Sequence, residues 1–235
     1  MAHVKTTPIV ALDVPSADAA LRVVDSLGDR CRFYKIGSEL FTAAGPGVVT
    51  RVRDAGCDVF LDLKLYDIPH TVRGAARSAA RLGARLLTVH ASGGVPMIEA
   101  AMEGGGEATS ILAVTVLTSF DDASLRDASG RPDVSASDEV TRLAELAMRA
   151  RAHGVVCSGA EAAAVRSKFA GALATLVPGI RMAGSAAHDQ RRVVTPAEAA
   201  AAGARYIVVG RAVTAAADPR EAIDDVVSEL TSVAV

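Results

Sequence analysis

The chain of 235 residues carries 25 Lys and Arg against 27 Asp and Glu, a net charge of −2, and half of its residues are hydrophobic. That balance argues against a general nucleic-acid or anionic-membrane binder, and the length suits one large buried core, expected as a single domain over residues 1–235. No apolar run reaches transmembrane length and MAHVKTTP has no signal-peptide core, so a soluble cytoplasmic protein without a membrane partner is expected.

Short β-branched runs alternate with longer segments rich in Ala, Arg and Glu. The predicted strands are residues 8–14, 31–37, 57–65, 84–90, 110–117, 153–158, 172–179 and 204–210. Several are continuous apolar runs, the pattern of parallel strands buried on both faces. A helical pattern follows each. Ser16 is expected to cap the first helix and Ser137 the helix before residue 153, while Gly56, Gly83, Gly154 and Gly203 read as helix ends. Polar residues 121–137 and the segment 179–194 read as excursions after the fifth and seventh strands. Gly104, Gly105 and Gly106 read as a turn, because no strand leads into them as a dinucleotide or phosphate-loop fingerprint requires. Strict β-α alternation through eight strands predicts a single (β/α)8 TIM barrel, with an open doubly wound sheet as the alternative.

A barrel of this kind builds its site at the C-terminal ends of its strands. The polar residues found there are Asp13, Lys35, Asp62, Lys64, Asp67, His90, Thr118, Arg181 and Arg211. So many charges at strand ends point to a ligand. Along an alternating strand Asp62 and Lys64 share a face, and such a pair is costly to desolvate unless matched. Carboxylates beside Lys64 favour its ammonium form, which suits a proton donor better than a Schiff-base nucleophile. An internal ion pair that merely closes the barrel is the bland reading of the same spacing. His90 reads as a packing residue beneath the site, and Arg73, Arg77 and Arg81 as a solvated helix face. Cys31, Cys57 and Cys157 show no metal-ligand or CxxC spacing, as expected of buried thiols in a reducing compartment.

DLKLYDIPHTV at 62–72 closely resembles the Asp-x-Lys-x-x-Asp-Ile-Pro-x-Thr motif of the orotidine 5'-phosphate decarboxylases, bacterial type 1. Six further segments fall in the family's order: Ala11-Leu12-Asp13, Tyr34-Lys35-Ile36-Gly37, Val116-Leu117-Thr118-Ser119, Val156-Cys157-Ser158, Pro178-Gly179-Ile180-Arg181 and Val208-Val209-Gly210-Arg211. Leu65, Tyr66 and His70 depart from the commonest family residues, and none is a chemical position.

The resemblance implies a cofactor-free and metal-free enzyme that converts orotidine 5'-phosphate to uridine 5'-phosphate. It gives Lys64 the role of protonating C6, with Asp62 beside the departing carboxylate and Lys35 and Asp67 completing a charge array. It implies ribose contacts from Asp13 and Lys35, and pyrimidine contacts from Thr118 and Ser119. Pro178 belongs to the substrate pocket, and Gln190, Gly210 and Arg211 to the phosphate end, while Arg181, after a strand-end Pro-Gly, reads from its position as a phosphate-binding or loop-anchoring residue. It also implies a homodimer in which Asp67, Ile68 and Thr71 reach the neighbour's site. Phosphate binding has an independent ground, since barrels often hold phosphate in the loops after strands seven and eight. The rivals are a metal-dependent sugar-phosphate decarboxylase or synthase on the same barrel, a Schiff-base aldolase, and a phosphate-ligand-binding barrel without turnover.

Overall fold

The computed structural model describes residues 6–182 and 193–232. Its strands are β1 (Thr7–Ala11), β2 (Phe33–Gly37), β3 (Asp58–Leu65), β4 (Leu86–His90), β5 (Ser110–Val114), β6 (Gly154–Val156), β7 (Ala174–Val177) and β8 (Tyr206–Val209). All neighbours are parallel, and β1 pairs with β8 from Thr7↔Tyr206 to Val10↔Val209, which closes the barrel. The expected (β/α)8 TIM barrel is therefore the fold, and the open-sheet alternative is excluded. Between and after the strands lie α1 (Ala17–Leu27), α2 (Ser38–Ala44), α3 (Gly47–Asp54), α4 (Pro69–Arg81), α5 (Gly94–Gly105), α6 (Asp122–Ser129), α7 (Ala136–Arg149), α8 (Gly159–Lys168), α9 (Pro196–Ala201), α10 (Arg211–Thr214) and α11 (Pro219–Ser232).

Two concentric cores explain why the strands read as continuous apolar runs. Inside the barrel, Ile9, Ala11, Phe33, Phe60, Leu86, Leu112, Leu176 and Val208 pack on one another. Their neighbours along each strand, such as Val10, Tyr34, Leu61 and Leu87, face outward into the layer shared with the helices. With both faces buried, alternation of polar and apolar residues disappears. Each fully buried Leu or Ile contributes about 1.5–3 kcal/mol, so this double layer outweighs any single polar contact in holding the scaffold.

The helices are small-faced, as their Ala content suggests. A Cβ added at Gly104 would lie 2.3 Å from the Arg73 carbonyl oxygen, so α4 and α5 approach too closely there for any side chain. Gly104 and Gly105 thus belong to α5, and only Gly106, with φ of 57°, makes the expected turn.

Several local expectations need correction. The α7 cap is Ser135, whose Oγ accepts from the Asp138 N–H at 3.1 Å, so Ser137 lies inside the first turn. Gly154 is a β6 residue and ends no helix. A Cβ there would meet the Ala174 carbonyl oxygen at 2.1 Å, and the preceding turn is made by Arg151 with φ of 56°. Residues 121–137 include a helix, α6, which a capping box between Asp121 and Ser124 starts and Gly130 in the left-handed region ends. Its one buried residue, Leu125, leaves no apolar period to read. Of the segment 179–194 the described ends are joined by a bridge between Ile180 and Val194.

Candidate active site

The site grows out of an irregularity in β3. Leu61 pairs with Leu87 of β4, and the next pair is Leu65 with Val89. Asp62, Leu63 and Lys64 therefore stand opposite Thr88 alone. The bulge sets Lys64 at φ of 50°, a left-handed conformation for a non-glycine residue. Such a residue costs on the order of 1–3 kcal/mol and tends to sit where function requires it. Simple alternation is thus not what unites Asp62 and Lys64. The bulge re-aims Lys64, and its Nζ donates to Asp62 Oδ2 at 2.8 Å.

Lys35 projects from β2 beside this pair. It is buried, with 8% exposure, and its Nζ lies 2.8 Å from Asp13 Oδ1 and 3.7 Å from Asp62 Oδ2. The charges alternate in space as Asp13, Lys35, Asp62, Lys64. The Asp62 side chain is 14% exposed, so its carboxylate faces little water and depends on the two ammonium groups. Removing one partner from so enclosed a pair typically costs about 3–5 kcal/mol. His90 ends β4 half-buried. Burial first, and then the Lys64 charge, push its pKa below the usual range against the opposing pull of Asp62. It meets Tyr66 edge to face at 5.9 Å, the packing role expected of it.

These side chains open into a cavity of about 530 Å³ at the C-terminal mouth of the barrel. Asp13, Lys35, Asp62 and Lys64 form one wall. Thr118 and Ser119 after β5, Pro178 and Arg181 after β7, and Gly210 and Arg211 after β8 form the others. The floor is apolar, made by Phe60, Val114, Val156, Leu176 and Val208. The cavity thus joins a charge array to an apolar floor, and two guanidinium groups also line it.

The match to known proteins is continuous over this architecture. The description "Orotidine 5'-phosphate decarboxylase / HUMPS family" matches residues 6–226. The chain belongs to this family. It is similar to the orotidine 5'-phosphate decarboxylase of Cutibacterium acnes, at 52% identity over 91% of this chain and 92% of the relative. That of Rhodopseudomonas palustris is 50% identical over 94% and 93%. The crystal structure of orotidine 5'-phosphate decarboxylase from Lactobacillus acidophilus superposes with a TM-score of 0.85 at 36% identity, covering 96% of this chain and 99% of that one. The chain is thus an enzyme of the decarboxylase class.

The remaining residues expected of a member of the orotidine 5'-phosphate decarboxylase family fall in two groups. Asp67, Ile68 and Thr71 are exposed and do not line the cavity of their own chain. Among the described residues no cation lies within ion-pair distance of Asp67, whose Oδ1 accepts from the Ile68 N–H at 2.6 Å. Within the chain, Asp13 ends the array through its ion pair with Lys35. Gln190 lies outside the described residues.

Sequence reasoning missed Glu39, the apolar floor and Thr88. The floor residues are apolar strand positions like many others, so nothing marked them. Thr88 carried a usable signal, a hydroxyl within the apolar run Leu86-Leu87-Thr88-Val89.

Proposed function

We propose that the chain decarboxylates orotidine 5'-phosphate to uridine 5'-phosphate, in pyrimidine biosynthesis, with no cofactor or metal. The observation that carries this reading is Asp62 sharing the barrel mouth with Lys64 and Lys35 above an apolar floor. The relatives' names supply the substrate, and the cavity's chemistry suits it.

In this reading the bond from C6 to the substrate carboxylate breaks, and carbon dioxide leaves toward the apolar floor. The electron pair stays at C6 and takes a proton from the Lys64 ammonium, which water later reprotonates. Lys64 and Lys35 are already held against Asp62 before the substrate arrives, so they need little reorientation as negative charge develops. Asp62 holds both lysines and faces the departing carboxylate. Asp13 and Lys35 take the ribose hydroxyls, Thr118 and Ser119 the pyrimidine edge with Pro178 beside it, and Arg181, Gly210 and Arg211 the phosphate with Gln190. Phosphate contacts far from C6 supply binding energy that orders the site around the reacting centre.

The functional unit in this proposal is a homodimer with shared sites. Tyr66 and Ile68 are 64% and 65% exposed next to Asp67, and an interface would cover them while carrying Asp67 into the neighbour's cavity. We place the enzyme in the cytoplasm, which the buried thiols of Cys31, Cys57 and Cys157 support. The deciding assay is carbon dioxide release from orotidine 5'-phosphate in excess EDTA. Full activity is expected. Activity that collapses on chelation and returns with magnesium would instead support a metal-dependent sugar-phosphate enzyme.

A further inference from the structure

We infer that Thr88 is a positioning residue for the Asp62–Lys64 pair, its single hydroxyl fixing both ends of the β3 bulge. The inference rests on the proposed role of Lys64 as proton donor. Thr88 is fully buried on β4 and does not line the cavity, so it has no route to the substrate. Its Oγ accepts from the Lys64 backbone N–H at 2.9 Å and donates to Asp62 Oδ1 at 2.9 Å.

The bulge explains why a hydroxyl is needed at that place. Between the pairs Leu61↔Leu87 and Leu65↔Val89, β3 contributes three residues and β4 one. The regular ladder therefore skips Lys64, and its N–H would be left facing a strand with no carbonyl in register. A backbone N–H in this position must find an acceptor or lose the full cost of its desolvation. Thr88 supplies the acceptor. The same hydroxyl spends its own proton on Asp62, and this settles the direction of both bonds.

The consequence for Asp62 is orientation. Its Oδ2 receives Lys64 at 2.8 Å and faces Lys35 at 3.7 Å, while Oδ1 receives Thr88. Both carboxylate oxygens are committed, so the plane of the group is fixed. Without the Thr88 proton the carboxylate could turn about its last bond and carry the Lys64 ammonium with it. Without the Thr88 acceptor the left-handed turn at Lys64 would lose its anchor. A hydrophobic residue of the same shape does neither job, and a serine does both.

The test compares Thr88→Val, Thr88→Ser and Lys64→Ala in the full chain. Each is assayed for turnover of orotidine 5'-phosphate, for binding of uridine 5'-phosphate and for thermal midpoint. Loss of a hydrogen bond to a charged group corresponds to about a ten- to hundredfold effect, and Thr88→Val should lower kcat by that factor. Affinity for uridine 5'-phosphate should stay near wild type, and Thr88→Ser should restore kcat. If the valine variant does not fold, Thr88→Ala removes the hydroxyl in a smaller side chain and should show the same kcat loss. A folded hydroxyl-free variant with wild-type kcat overturns the inference while leaving Lys64 in its role. So does a variant whose kcat and affinity fall together without rescue by serine, since that marks general disruption. Wild-type turnover by Lys64→Ala would overturn both the inference and the reading beneath it.

Discussion

The Lys64 ammonium lies 2.8 Å from the Asp62 carboxylate although the Lys64 backbone is left-handed, with φ of 50°. Regular strand geometry would have placed the two residues on one face without aiming them at each other. The bulge converts a neighbourly spacing into a directed ion pair, and Lys35 on β2 closes the array from the other side.

Asp67 stands outside its own cavity, so the shared-site reading can be tested by complementation. Lys64→Ala and Asp67→Ala subunits should each be inactive alone. In a mixed dimer both lesions fall in one composite site and the second site is intact. Activity should return toward half that of a wild-type dimer per mixed dimer. Exchange of subunits without recovery would show that Asp67 acts within its own chain.

Arg211 lines the cavity at its phosphate end in the proposed reading. A charge-assisted contact of this kind contributes roughly 1.5–3 kcal/mol, or about ten- to a hundredfold in binding. Arg211→Ala should therefore lose that factor on the nucleotide and much less on the phosphate-free nucleoside. Equal losses on both substrates would remove Arg211 from the phosphate site.

Glu139 on α7 ties down the polar segment after β5. Its carboxylate receives Arg142 at 2.6 Å and Arg131 at 2.8 Å. The Arg142 hydrogen bond above all, with Arg131 beside it, overcomes the opposing effect of burial and holds the pKa at about 2, against an ordinary 4.5. A depressed carboxylate pKa adds stability that is present above the unfolded value and is lost as pH falls from about 4.5 toward 2. Both arginines are near half exposed, so solvent screening reduces the contribution to on the order of 1 kcal/mol. Glu139→Gln should lower stability at neutral pH and flatten its decline across that acid window, as read by urea unfolding at several pH values. An unchanged acid slope would show that Glu139 has no such linkage.

The fold was legible because burial on both faces turns barrel strands into apolar runs, and eight of these alternate with helical patterns. The charged residues of the site were legible for the opposite reason. Asp13, Lys35, Asp62 and Lys64 interrupt apolar runs at strand ends, where a charge needs a partner. Three features were less accessible. The helix α6 buries one leucine and owes its start to a local cap. Gly154 looked like other helix-ending glycines, and its close approach to Ala174 depends on the register between β6 and β7. Thr88 stands out as a hydroxyl in an apolar run, but its purpose depends on a register shift in the neighbouring strand.

The central claim is that Lys64 delivers the proton to C6 from the charge array it shares with Asp62 and Lys35. The most direct measurement is turnover of orotidine 5'-phosphate by Lys64→Ala, paired with binding of uridine 5'-phosphate to the same protein. Loss of a positioned general acid predicts a fall in kcat of about a hundredfold or more, with the nucleotide still bound. Retention of more than roughly a tenth of wild-type turnover, far above what loss of such an acid permits, would contradict the account.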